Sequence, residues 1–177
     1  MIIMVPLMLG AQNKHAVEVG GGYSVLGEMT LDGPWAHRYA MNLYSEYRYN
    51  VWKGLSFGAQ YQLMPNWGDT VLEDKEGHML TSKGVTQTFN VLAEYKLFSR
   101  AAVSPFIGIG TGPQFDFARL SSDTNWTKWG ADLHMRVGFE LFHKFRLTGG
   151  HLHSCHHLPR ALRAAQPAYY LSAGWVF

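Results

Sequence analysis

Residues 129–142 read Trp-Gly-Ala-Asp-Leu-His-Met-Arg-Val-Gly-Phe-Glu-Leu-Phe. Trp129, Ala131, Leu133, Met135, Val137, Phe139 and Leu141 are apolar, while Asp132, His134, Arg136 and Glu140 between them are polar or charged. Successive side chains of a strand point to opposite faces, so this alternation specifies a strand with one oily and one charged face. Seven further stretches behave alike, at 16–26, 37–49, 55–64, 85–97, 104–117, 145–153 and 168–177. Ser45, Gln87 and Thr111 are mild polar exceptions on otherwise apolar faces. The segments run to roughly 9–14 residues, longer than the ~5–6 of ordinary strands and close to the ~9–11 that cross a tilted bilayer span.

The connections alternate in length. Long ones are expected at 27–36, 65–84, 118–128 and 154–167, and short ones at 50–54, 98–103 and 143–144. This is the pattern of an antiparallel up-and-down meander with two unlike ends, and transmembrane barrels show it as short turns on one side and long loops on the other. The predicted fold is therefore all-β: an eight-stranded antiparallel up-and-down transmembrane β-barrel over residues 13–177.

The same alternation would serve a soluble lipocalin-like barrel with an apolar ligand cavity, so composition has to choose the face. The 177 residues are 47% hydrophobic and 14% aromatic but only 16% charged, with 19 glycines. The polar faces carry Glu18, Glu46, Glu94, Asp116, Asp132 and Glu140 against Arg38, Arg48, Lys96, Arg136 and Arg146. Near-equal numbers of opposite charges suit a narrow lumen filled by paired side chains. A soluble exterior would carry more Lys and Glu and less Gly, Gln, Asn and Thr. The aromatics Trp35, Tyr39, Tyr47, Tyr49, Trp52, Trp67, Trp129, Tyr169 and Trp175 fall near strand ends, as interfacial girdles do. The eleven polar-face charges are expected to form a salt-bridged plug rather than an ion path.

Other classes are excluded by simple counts. A net charge of +2 with no basic run gives no nucleic-acid footprint, and one cysteine rules out an intrachain disulfide framework. No run approaches the ~20 apolar residues of a membrane helix. Residues 1–12, MIIMVPLMLGAQ, read as the apolar core and small-residue end of a signal peptide whose basic start is missing. No cysteine follows it to carry a lipid anchor, and the mature chain is expected to begin near Gln12 or Asn13. No cofactor or metal is implied: residues 72–77 lack calcium-loop spacing, and no phosphate-cradling glycine motif opens a helix.

The final segment, Tyr169-Tyr170-Leu171-Ser172-Ala173-Gly174-Trp175-Val176-Phe177, resembles the last strand of Gram-negative outer-membrane proteins, with a terminal Phe and apolar residues at alternate positions before it. Residues 105–110 (PFIGIG) and 137–141 (VGFEL) also resemble the small outer-membrane barrel family that includes the OmpA and OmpX types. The resemblance implies a bacterial outer-membrane location, and contact with the lipid bilayer and lipopolysaccharide. It also implies recognition of the last strand by the barrel-assembly machinery, and a non-enzymatic structural or surface role through long outer loops that meet an unidentified ligand.

One cluster stands apart: His151-Leu152-His153-Ser154-Cys155-His156-His157. It resembles in part the His-x-Ser-Asn motif of outer-membrane lipid A deacylases, in which the imidazole takes the serine proton. With His151 in the His place, His153 stands where Ser belongs and Ser154 where Asn belongs, and Ser154 would face away from His151. Zinc or copper capture by His151, His153 and their neighbours has no closed ligand spacing. The expectation is an outer-rim segment without chemistry; the drift from alternation here leaves a seventh strand ending near Thr148 or Gly150 as the alternative to one running to His153.

Overall fold

In the computed structural model the chain is described over residues 14–28, 36–73, 79–120, 125–156 and 165–177; at several outer strand ends this covers the backbone alone. The signal-like segment 1–12 lies outside the described residues. Eight strands follow in order: β1 (His15–Glu28), β2 (Ala36–Trp52), β3 (Leu55–Glu73), β4 (Met79–Lys96), β5 (Val103–Leu120), β6 (Asn125–Leu141), β7 (Phe145–His156) and β8 (Ala165–Val176). Each pairs antiparallel with its chain neighbours, and β8 pairs with β1 to close the ring. Beyond the ladder, Val17 and Phe177 exchange main-chain hydrogen bonds of 3.4 and 2.8 Å. Closure pairs the amides along both edges of every strand, the condition for a sheet to sit in hydrocarbon.

The side chains are inverted relative to a soluble barrel. On β6, Val137 is 57% exposed while its neighbour Arg136 is 3% exposed. Phe57, Ile107, Leu133, Met135 and Phe139 all face outward, and Glu18, Glu46, Glu94, Asp132, Glu140 and Arg146 are buried within the ring. This excludes the lipocalin-like alternative, whose apolar face would line the cavity. Tyr39, Tyr47, Tyr49, Trp52, Trp129, Tyr169 and Trp175 are exposed on the outer surface. The side chains of Trp35 and Trp67 lie outside the described residues. Ser45 also points out, Gln87 accepts from the Tyr61 hydroxyl at 3.2 Å, and Thr111 donates to the Asp132 carbonyl at 2.7 Å.

Strand lengths correct the sequence reading. Strand extends into each of the expected long connections at 27–36, 65–84, 118–128 and 154–167, and takes up most of 65–84 and 118–128. β3 and β4 stay paired as far as Glu73 and Met79, across an irregularity between Asn66 and Thr70. β7, expected over 145–153 or, on the alternative, to end near Thr148 or Gly150, continues to His156, paired with β6 as far as Gly130. The reason is physical. A 17-residue strand such as β6 is roughly 55 Å long at about 3.3 Å per residue. The apolar band of such barrels is only about 25 Å tall. Above that band the outer face of the sheet is wet, so hydrogen bonding continues while the two-residue hydrophobic period stops; on β7 the period fails earlier, because His151 and His153 share the outer face while Leu152 is buried inside. Of the exposed turn expected at 72–77, Leu72 and Glu73 belong to β3, and the remainder lies outside the described residues.

The inversion predicts the effect of charge placed on the belt. Met135 sits midway between Trp129 and Phe142 on the outer face. Met135→Arg is expected to cost about 2–4 kcal/mol in urea unfolding from phospholipid vesicles, the range for a midplane arginine. Met135→Leu is expected to leave the midpoint nearly unchanged.

Candidate functional site

The feature that concentrates chemistry is the lumen. Parity on β1, β2, β4, β6 and β7 sends Glu18, Glu46, Arg48, Glu94, Lys96, Arg136, Glu140 and Arg146 inward, four acids and four bases, and they form one network. Glu18 and Glu46 are cross-strand partners, a like-charge pair that would repel if left alone. Arg48 bridges them, at 2.5 Å to Glu18 and 2.9 Å to Glu46. Arg136 grips Glu46 with both terminal nitrogens and reaches Glu94 at 2.6 Å. Arg146 joins Glu94 at 2.7 Å to Glu18 at 3.0 Å. Lys96 holds both oxygens of Glu140 at 2.6 and 2.7 Å.

Neutral groups complete the set. The Tyr44 hydroxyl donates to Glu18 at 2.6 Å and Gln60 donates to Glu46 at 3.0 Å. The Phe106 ring lies under Arg146, whose guanidinium carbon is 3.7 Å from the ring centre. Room for these rings comes from missing side chains opposite. A Cβ on Gly20 or Gly174 would fall 2.5 or 2.4 Å from Tyr44 atoms, so neither site tolerates a larger residue without moving the ring. Charges this deeply buried are tolerable only when paired and hydrogen-bonded, and here each has a partner.

Toward the loop end the lumen changes character. Asp132 accepts from Asn90 at 3.1 Å, and Asp116 accepts from Thr86 at 2.5 Å and Gln114 at 3.0 Å. His134 and the Tyr170 hydroxyl lie 2.5 Å apart. Alongside them Ala40, Met64, Leu152, Ala168 and Tyr170 form a buried apolar cluster contributed by β2, β3, β7 and β8. The described lumen is thus filled by an ion-pair lattice and, toward the loop end, by hydrogen-bonded polar groups beside this cluster. The side chain of Arg38 lies outside the described residues.

Tyr170, Leu152, Met64 and Phe106 are lumen residues that the sequence reading passed over. The available signal was parity: Tyr170 shares it with Ser172 and Gly174, and Leu152 with Arg146 and Thr148. Apolar residues on the polar face carried no warning of their own.

The histidine segment does not assemble a hydrolytic pair. His151 and His153 face outward, 6.2 Å apart between ring centres, with His151 packed 4.6 Å from the Tyr169 ring. Ser154 points into the lumen, buried, and donates to Gln114 at 2.6 Å. The barrel wall separates the hydroxyl from both imidazoles. Among the described residues no group of three or more His, Cys, Asp or Glu is placed to hold a metal. The side chains of Cys155 and His156 lie outside the described residues, as does His157.

Removing Arg146 leaves four buried acids against three bases, with Glu18 still held by Arg48 and Tyr44 and Glu94 by Arg136. Arg146→Met is expected to lower stability by about 3–5 kcal/mol, the range for removing one partner from a buried ion-pair set. Adding Glu94→Gln should recover part of that loss, read as a coupling energy in a double-mutant cycle of urea midpoints.

No protein-family model and no curated protein matches the sequence. Solved structures do match in shape. Neisserial surface protein A superposes with a TM-score of 0.63 at 11% identity, over 92% of this chain and 99% of that one. Ail, the attachment invasion locus protein of Yersinia pestis, gives 0.63 at 11% identity over 93% and 99%. The outer membrane protein OprG from Pseudomonas aeruginosa gives 0.57 at 14% identity over 93% and 96%. Likeness at such low identity is likeness of fold: this chain has the fold of the small eight-stranded outer-membrane barrels.

Proposed function

We propose that the protein is a non-conducting barrel of a bacterial outer membrane, with a structural or surface-interaction role at its loop end. The observation that carries this is the side-chain-filled lumen inside an apolar exterior. The exterior matches hydrocarbon in place of water, and among the described residues the interior is packed with paired charges, polar groups and apolar side chains, as suits eight strands. Surplus strand above the belt carries the loop end of the sheet clear of the bilayer core, where lipopolysaccharide and soluble ligands would be met. One structure of this fold, Ail, was solved in complex with the heparin analogue sucrose octasulfate. That supports looking for a ligand at the loop end here.

The last strand fits recognition by the barrel-assembly machinery. Tyr169, Leu171, Trp175 and Phe177 form an outward apolar edge that ends at the closing seam with β1. The signal-like segment 1–12 fits export before assembly.

Three measurements test the reading. Fractionation should place the protein in the outer membrane, with the folded form migrating differently from the boiled form on gels. In planar bilayers the wild type should give no discrete conductance steps, and regular steps would overturn the filled lumen. Fatty-acid release from lipopolysaccharide should be nil for wild type and for His151→Ala alike, since Ser154 is walled off from the imidazoles.

A further inference from the structure

The turn end of the barrel is built unlike an ordinary set of hairpin turns. The β6–β7 connection is a tight turn closed by the Lys144 amide on the Leu141 carbonyl at 3.1 Å, with Phe142 and His143 at φ of 53° and 59°. Two consecutive residues in the left-handed region define the turn type that normally demands Asn-Gly. In the β4–β5 turn Phe98 also sits at φ 52°. For a bulky residue this conformation is a true outlier, disfavoured by contact between Cβ and the following carbonyl.

The strained backbone aims apolar rings outward. Phe98 is 75% exposed and Phe142 72%, and Trp52, the unstrained last residue of β2, is 72% exposed beside the β2–β3 turn. Each ring has a cation one or two residues on: Lys53 after Trp52, Arg100 after Phe98, and Lys144 after Phe142. All three cations are exposed, and none makes an ion pair with the described residues. Lys14 adds a fourth at the head of β1. The side-chain carboxylates nearest this rim, Glu18 and Glu140, are buried and already paired inside. The rim therefore carries cations with no exposed acidic side chain among them. Strained residues mark places where something other than the fold sets the geometry.

We propose that this rim is a binding surface for anionic phospholipid headgroups, each turn seating an aromatic ring at the acyl boundary and a cation on a phosphate. An aromatic ring has its favoured place at that boundary, and a basic residue near a membrane surface gains from negative lipid. A zwitterionic headgroup would satisfy the rings but not the charge. The inference rests on the membrane reading above and adds lipid selectivity to it.

The test uses the full chain folded into phosphatidylcholine vesicles and into mixed phosphatidylcholine–phosphatidylglycerol vesicles. The preference of the protein for spin-labelled phosphatidylglycerol over phosphatidylcholine is measured at low and high salt. Wild type should prefer phosphatidylglycerol by about five-fold at an occupied cation, and salt should weaken the preference. The variant Lys53→Gln/Arg100→Gln/Lys144→Gln should insert normally and lose the preference. Equal association in wild type, or an unchanged preference in the variant, overturns the proposal and leaves the membrane barrel standing. Failure of the wild type to insert into either vesicle overturns both. A second variant, Phe142→Asn/His143→Gly, supplies the residues the turn prefers. It should unfold no earlier than wild type in detergent yet earlier in vesicles; a gain in both media would show that the rings do not anchor the rim.

Discussion

The convergence of Arg136 and Arg146 on Glu94, with Glu46 and Glu18 on their far sides, is the interaction the rest of the molecule depends on. A chain that presents its oil to lipid must place its charges somewhere, and eight strands leave only a narrow interior. Each charge there would be costly alone, and the lattice makes each one the partner of at least one other. The arginines serve this purpose better than lysines would. A planar fork of donors can satisfy two carboxylates at once, as Arg136 does with Glu46 and Glu94.

Much of the architecture was legible because a lipid belt writes a strict code. Outside must be oily, inside must not, and the two alternate residue by residue. Residues 129–142 carry that code without interruption, and the inward charges follow from parity alone. Where the belt stops, so does the code. The upper halves of β3, β4 and β7 form ladders, that of β3 and β4 across one irregularity, without a hydrophobic period, and so read as loop. Thr70 opposite Ser82 obeys the hydrogen-bond geometry of a sheet but no rule of composition.

The pairing inside the lumen was legible only as a balance of charges. Arg146 meets Glu18 across 128 positions of sequence and Arg136 meets Glu46 across 90. No local spacing announces such pairs. They depend on strand tilt and register, which place residues from non-adjacent strands face to face. The apolar cluster was hidden for a different reason. Met64, Leu152 and Tyr170 are ordinary strand residues, and only the closed ring reveals that their side of the sheet has no solvent.

The seam between β1 and β8 has a consequence for biogenesis. It joins the two ends of the chain, so every other strand must be in place before it can form. A ring lacking one member would present two unpaired edges to hydrocarbon, each a row of unmet amides. No half-finished sheet is a stable resident of a bilayer, and assembly must therefore be completed as a single cooperative event or be sheltered until the ends meet.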